Sequence, residues 1–292
     1  LPINKLPTIY IGYDPREHDY VRVLDKSIRM NTTDTYNIVP IVQTEVRRAG
    51  LYWRSPNIDK DGNRVDVFDS KPFSTEFSFT RFLVPFLNQM SGLALFMDAD
   101  MFVTSDITEI FDVYGSDKDN AISCVQHMHV PTERTKMDGV VQTIYNRKNW
   151  SSFVLWNCDH PWMKELTVGH MHVPTERTKM DGVVQTIYNR KNWSSFVLWN
   201  CDHPWMKQLT IGDVNTKSGG WLHAFEWMDI YPIGRIEEEW NWLDGTSPED
   251  LIPKNIHFTT GGPVYPEWIG KRDIDNKYAD EWRDFFSTVV KG

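Results

Sequence analysis

Leu93–Thr104, LALFMDADMFVT, constrains this chain more than any other stretch. Five apolar residues run unbroken from Leu93 to Met97, the pattern of a strand buried on both faces. The run stops at Asp98-Ala99-Asp100 and apolar character resumes at Met101. Residues two apart on extended backbone point the same way. Both carboxylates therefore leave the end of a buried strand together, where they repel and where desolvation is costly. Two readings are open. The pair caps backbone amides in a strand-end turn, or it binds a divalent cation together with a third ligand.

His257 is the candidate third ligand. It lies between apolar residues in Ile256-His257-Phe258, just before Gly261-Gly262, a turn whose amides can approach a phosphate. A lone His in such a setting is more often a core residue. Two carboxylates plus an imidazole form a mixed oxygen and nitrogen set that favours Mn2+ over Ca2+, with Mg2+ also allowed. Arg81, between Thr80 and Phe82 in an aromatic helical stretch, is expected to pair inward with a carboxylate such as Asp98 or to reach phosphates.

Strands alternate with helices over the first half. Thr8–Gly12 reads as the first strand, followed by a helix to about Met30 with Tyr20, Val21, Leu24 and Ile28 on one face. Asn37–Gln43 reads as a second strand, and Pro40 assigns it to an edge or a bulge. Gly50–Ser70 is polar and reads as a loop or small hairpin. Ser74 or Thr75 is expected to cap a helix kinked at Pro85, and Ser105 or Asp106 a short helix ending near Val113. Ala121–Gln126 gives another strand. This alternation predicts an α/β sheet with ligands beyond the carboxyl ends of its strands, where Tyr13-Asp14 and Asp98-Ala99-Asp100 both fall.

A 43-residue block, His127–Gly169, recurs as His170–Gly212 with changes only at Glu165/Gln208 and Val168/Ile211. Near-identity of two copies points to a tandem duplication within a single domain spanning residues 1–292, not to a solenoid. One copy is surplus to the fold. Ser194–Asn200 of copy two is expected in the sheet and its twin Ser151–Asn157 outside it, with the junction near Thr132–Gly139. A displaced copy would expose an apolar strand, a route to self-association. His127, His129 and Glu133, with their copies, do not have the spacing of a zinc helix and read as structural.

Net charge is −9 with no basic cluster, which argues against nucleic acid as a partner. The three Cys (Cys124, Cys158, Cys201) cannot form a disulfide framework. That count, with no membrane-length apolar run and no signal peptide, predicts a cytoplasmic location, although a start at Leu1 without Met is the pattern of a trimmed leader. The sequons at Asn31 and Asn192 read as chance. No dinucleotide fingerprint, P-loop or nucleophile elbow occurs. The chain carries 13 Trp. Trp221, Trp227, Trp240 and Trp242 are core by default, while Gly219, His223 and Asn241 beside them also suit an acceptor-sugar platform.

Taken in order, TIYIGYD, STEFSFTRFLVP, LALFMDADMFV, NWSSFVLWNCDHP, WNWLDG and IHFTTGGP resemble GT-A fold glycosyltransferases, above all the family 8-like bacterial and viral enzymes that use nucleotide sugars. The likeness spans nearly the whole chain apart from the extra copy. It implies a GT-A mixed sheet flanked by helices and transfer of a sugar, with a UDP-sugar donor and retention of configuration, to a hydroxyl acceptor. It further implies that Ile11, Tyr13 and Asp14 line the nucleotide pocket and that Asp98, Asp100 and His257 hold the metal, with Asp98 near the ribose. Gly261 and Gly262 would lie against the diphosphate. Asn200 and Asp202, or Asn157 and Asp159, would face the donor sugar, Asp202 being the candidate nucleophile. The family usually places a Lys after the His-containing turn; here Pro263-Val264-Tyr265 follows, so Arg81 or Lys179 would contact the β-phosphate. Two further classes fit parts of the pattern: a Ca2+-dependent carbohydrate-binding module and a metal-dependent nucleotidyltransferase.

Overall fold

In the computed structural model, residues 7–60, 62–116, 119–127, 201, 203–228, 233–259, 262–263 and 277–291 are described, with strand backbone at 148–149, 153–156, 177–180, 183–186 and 198–200. The chain runs β1 (Thr8–Gly12), α1 (His18–Asn31), β2 (Asn37–Ile41), α2 (Gln43–Arg48), α3 (Phe77–Thr80) and α4 (Val84–Leu87). It continues through β3 (Leu93–Met97), β4 (Met101–Val103), α5 (Thr108–Tyr114), β5 (Ile122–His127), β6 (Lys148–Asn149), β7 (Phe153–Trp156), β8 (Arg177–Met180), β9 (Val183–Thr186) and β10 (Leu198–Asn200). It closes with α6 (Ile211–Thr216), α7 (Gly219–His223), β11 (Gly234–Ile236), β12 (Trp242–Leu243), β13 (Asn255–His257) and α8 (Lys277–Lys291).

The main sheet has the order β11-β5-β7-β10-β3-β1-β2, with β6 beside β5. β1 is buried along its whole length and pairs in parallel with β2 and β3, Ile11 opposite Met97. β2 is the edge, where Pro40 lacks no ladder partner it needs. The two strands that point at the candidate site thus lie side by side and end together. Gly12 closes β1 because a Cβ there would come within 2.5 Å of the Phe77 ring. The helical turns from Phe77 to Leu87 lie on the sheet through that gap. They are not capped by Ser74 or Thr75: Glu76 precedes α3, and the Thr75 carbonyl accepts from the Ser78 amide at 3.2 Å.

A second, three-stranded sheet, β12-β13-β4, decides where His257 goes. β4 begins at Met101, immediately after Asp100, and runs antiparallel to β13, with His257 opposite Met101. The other edge of β4 is satisfied by α1: Val103 N donates to Ser27 Oγ at 3.2 Å, and Asn31 Nδ2 donates to Val103 O at 3.0 Å. These polar side chains on the buried face of α1 therefore finish a ladder. On the same helix Tyr20 packs on Trp282 of α8, ring centroids 5.0 Å apart.

The duplicated strands differ from expectation. Both copies enter the main sheet on one edge of β3: Leu155 and its twin Leu198 each stand opposite Leu95. β7 runs from there along Phe96 and Met97, while β10 runs along Ala94 and Leu93. The twin strand is not outside the sheet, because five residues of β3 give room for two short partners and each pairing satisfies buried backbone groups. Both strands are paired in the sheet, so neither is the displaced strand through which self-association was expected. The junction at 132–139 and the residues His129 and Glu133 lie outside them.

The polar stretch from Gly50 to Ser70 is a small hairpin, with bridges Ile58↔Arg64 and Val65↔Pro72, anchored by a buried ion pair that the sequence did not disclose. Arg54 and Asp66, each 2% exposed in their side chains, pair directly. Arg54 Nη1 also donates to Val214 O at 3.1 Å and Lys217 O at 2.7 Å, and its guanidinium lies 4.0 Å from the centre of the Phe79 ring. Asp66 Oδ2 accepts from Gly219 N at 2.7 Å. One pair therefore joins the hairpin to α6 and α7. Arg54→Met would leave Asp66 buried without its counter-charge and is expected to destabilise the fold by about 3–5 kcal/mol in urea unfolding.

Candidate metal centre

The carboxylates emerge as the sequence anticipated, at the end of β3, and the ladder between β4 and β13 delivers the imidazole to them. The Phe258 amide donates to Asp100 O at 2.9 Å, fixing the register of the loop against the second sheet. Asp98, Asp100 and His257 each offer a ligand atom, and all three atoms lie within 4.8 Å of one another. His257 Nε2 stands 3.3 Å from Asp100 Oδ1.

The other ring nitrogen is fixed by a residue whose role the sequence did not reveal. His257 Nδ1 lies 3.1 Å from Asn241 Oδ1, and both side chains are buried. An amide oxygen only accepts, so Nδ1 carries a hydrogen, and Nε2 is the ring nitrogen that faces Asp100. The signal for Asn241 was a polar residue between Trp240 and Trp242. Those two tryptophans and Trp227 are buried, as their default reading had it.

Arg81 is buried, with Nη2 3.0 Å from Asp98 Oδ1 and Nε donating to Phe77 O at 3.2 Å. Its guanidinium lies between the rings of Phe77 and Phe96, 5.3 and 5.0 Å from their centres. The inward pairing expected of Arg81 is therefore with Asp98. That contact is an ion pair without hydrogen-bond alignment, and Asp98 Oδ1 and Asp100 Oδ1 are both buried without a hydrogen-bond partner. Burial, with the adjacent charge of Asp100, pushes the Asp98 carboxyl up to about 6 against the attraction of Arg81. Burial also lowers the pKa of Arg81, against the pull of both Asp residues. One guanidinium does not balance two carboxylates in so little solvent. Two carboxylate oxygens without hydrogen bonds, beside an imidazole nitrogen at this spacing, fit a divalent cation.

Two more acids border the site. Asp14 follows β1 and is fully buried. Its Oδ1 accepts from Arg16 N at 3.0 Å and Arg16 Nε at 2.9 Å. Its Oδ2 accepts from Arg16 Nη2 at 2.8 Å, Arg64 Nη1 at 3.2 Å and Glu76 N at 3.1 Å. Asp14 thus ties the end of β1 to the hairpin and to the start of α3. Glu17 is different: its Oε2 is buried and has no hydrogen-bond partner. Burial, then the charges of Asp100, Asp98 and Asp14, push its carboxyl up to about 9.

The remaining predicted residues are distributed as follows. Ile11 is buried in β1, and Tyr13 is part-buried with its hydroxyl 3.4 Å from His18 Nδ1. Gly262 adopts φ +75°, and a Cβ there would come within 2.3 Å of Tyr20, so only glycine fits. Gly261, Asp202, Asn157 and Asp159 lie outside the described residues, as do the side chains of Asn200 and Lys179. No helix among the described residues is long and apolar enough to cross a membrane.

No protein-family model matches the sequence. Protein CDI of Arabidopsis thaliana is 36% identical over 279 residues, covering 94% of this chain and 83% of that protein. Among solved structures, the galactosyltransferase LgtC, in complex with donor and acceptor sugar analogues, superposes with a TM-score of 0.51 at 13% identity, covering 96% of this chain and 95% of LgtC. The bifunctional glycosyltransferase WbbM gives 0.53 at 14% identity over 100% of this chain, which spans about half (52%) of WbbM. At these identities the likeness is one of fold: the chain has a GT-A-like glycosyltransferase fold, an α/β architecture with a mixed central sheet.

Asp14 provides the pH test of this region. Burial raises its pKa, but the side-chain and backbone hydrogen bonds from Arg16, with that of the Glu76 amide, bring it from the ordinary 3.8 down to about 2. A depressed folded-state value stabilises the fold above pH 4, and that contribution of about 2 kcal/mol is lost as pH falls towards 2. Asp14→Asn is expected to lower stability at pH 7 and to flatten its dependence between pH 4.5 and 2, measured by denaturant unfolding at each pH.

Proposed function

The chain belongs to the family of Arabidopsis Protein CDI, and on that premise we propose that it is a metal-dependent glycosyltransferase using a nucleotide sugar, with UDP as the carrier. The observation that carries the reading is the meeting of Asp98, Asp100 and His257 at the carboxyl end of a central strand in this fold. The transfer breaks the bond between the anomeric carbon and the diphosphate oxygen and forms one to an acceptor hydroxyl, which gives up its proton. Configuration at the anomeric carbon is retained in this reading.

Each residue has a part that follows from its surroundings. Asp98, Asp100 and His257 hold the cation, and Asn241 keeps the imidazole in the tautomer that can do so. When bound, Mn2+ or Mg2+ supplies Lewis-acid charge to the departing diphosphate. Arg81, clamped by Phe77 O and two rings, orients Asp98 as a positioning residue. Ile11 and Tyr13, at the end of β1 beside that strand, line the nucleotide. Gly261 and Gly262 offer backbone to the phosphates where side chains would intrude. The resemblance assigns Asn200 and Asp202 to the donor sugar. As nucleophile, the Asp202 carboxylate would bond to the anomeric carbon as the diphosphate leaves; the acceptor hydroxyl, losing its proton to the departed diphosphate, would then displace it. Asp14 serves the pocket by fixing its rim.

UDP should bind the wild-type chain in the presence of Mn2+ and far more weakly in EDTA, measured by calorimetry. Asp100→Ala should abolish the Mn2+-dependent binding while leaving the thermal midpoint of the metal-free protein unchanged. With a panel of UDP-sugars, productive turnover should release UDP and no pyrophosphate; pyrophosphate would indicate a nucleotidyltransferase instead. Sugar binding without any metal dependence of UDP binding would favour a carbohydrate-binding module.

A further inference from the structure

A cavity of about 120 Å³ lies between α2 and the hairpin, and none of Asp98, Asp100 and His257 lines it. A cavity of ~150 Å³ holds a benzene ring, so this one has room for a body of about one six-membered ring. Three guanidinium side chains line it, Arg47, Arg54 and Arg64, against two carboxylates, Asp66 and Glu76. Both acids are taken. Asp66 pairs with Arg54 and accepts from Gly219 N, while Glu76 Oε1 lies 3.6 Å from Arg64 Nη2. Arg47 is the cation left over, with no carboxylate paired to it among the described residues. Neutral groups hold its guanidinium: Nε donates to Gln43 Oε1 at 3.2 Å, Nη2 donates to Arg54 O at 2.7 Å, and the centre of the Tyr52 ring is 4.6 Å away. On the same wall Arg54 Nε is buried without a hydrogen-bond partner. What this wall lacks is an acceptor.

We propose that this cavity is a binding site for an acidic sugar, a single ring bearing a carboxylate or a phosphate, whose anionic group pairs with Arg47. A guanidinium already fixed by two hydrogen bonds and a ring loses little freedom on engaging an anion, and its planar fork matches two oxygens of one. The other walls suit the body of a sugar. Ile58, 57% exposed, and Phe73 offer apolar surface, and the amides of Gln43 and Asn57 offer hydrogen bonds to hydroxyls. A neutral sugar would leave Arg47 without its counter-charge. The walls are preformed, because the buried pair of Arg54 and Asp66 holds the hairpin against α6 and α7. The inference stands without the metal centre, whose ligands take no part in it.

The test is calorimetry in EDTA at low salt, titrating glucuronate, glucose 6-phosphate, glucose and inorganic phosphate into wild type, Arg47→Met and Arg47→Lys. Met keeps the stem beside Tyr52 and removes the charge; Lys keeps the charge and loses the fork. One of the two reports even if the other fails to fold, which thermal midpoints establish. At least one acidic sugar should bind wild type, more tightly than glucose or inorganic phosphate. Its Kd should rise about 10- to 100-fold in Arg47→Met, the range for hydrogen bonds to a charged group, and less in Arg47→Lys. Binding of glucuronate assigns the anion as a carboxylate, and of glucose 6-phosphate as a phosphate. No binding of either acid at millimolar concentration, an equal Kd for glucose or inorganic phosphate, or a Kd unchanged in the folded variants would overturn the proposal.

Discussion

The structure is built around the contact between Arg81 and Asp98. A strand buried on both faces is the most economical centre for an α/β sheet, but β3 carries its apolar run straight into two acids. Desolvating a carboxylate costs several kcal/mol even after relaxation, so Asp98 must have a counter-charge within the protein. The helical turns after Phe77 supply it, and they can reach because Gly12 has no Cβ to hold them away from the sheet. Arg81 in turn is fixed by a backbone carbonyl and two aromatic faces. The pair offsets one negative charge and leaves that of Asp100, 27% exposed, uncompensated by Arg81. An unbalanced carboxylate at the end of a buried strand suits a site for a dication.

The second constraint is topological. Residues 98 and 257 are far apart in the chain, and only the antiparallel register of β4 against β13 brings them together. That register is unforgiving, because a slip of one residue would turn His257 to the opposite face and replace it with Ile256 or Phe258. It is held at several points: the Phe258 amide on Asp100 O, Lys254 O accepting from Thr104 N, and Asn255 Nδ2 donating to Trp240 O at 2.9 Å. The aromatic wall around Asn241 has the same purpose. Trp240 and Trp242 bury the stretch around Asn241, and its Oδ1 lies 3.1 Å from His257 Nδ1.

What could be read from sequence divides along the same line. Asp98, Asp100 and the inward pairing of Arg81 were legible because each contradicts its apolar neighbours, and contradiction of a local pattern is a local signal. His257 was legible as a candidate for the same reason. Asn241, Glu17 and the pair Arg54–Asp66 were not, since each has meaning only through a partner in another element. Nothing local sets Glu17 apart from its neighbours, and Arg54 lies in a stretch whose pattern says only polar loop or hairpin. Helix starts were missed near Ser74 for a related reason: capping residues announce themselves, but tertiary packing against Gly12 and β3 decided where the turns began.

The duplicated block shows the limit of sequence-encoded specificity. Register is normally chosen because only one strand presents the right residues to the right edge. Here Leu155 and Leu198 are the same residue in the same context, and both stand opposite Leu95. Side-chain contacts cannot rank two identical strands, so the choice falls to chain connectivity. Closing the longer loop to copy two instead of the shorter loop to copy one changes the free energy by only about 0.5 kcal/mol. Neither copy can win the edge outright. The result is a division of it, with copy one beside Phe96 and Met97, next to Asp98 and Asp100, and copy two beside Leu93 and Ala94. A single-copy chain would face no such competition, and one strand could run the full length of β3.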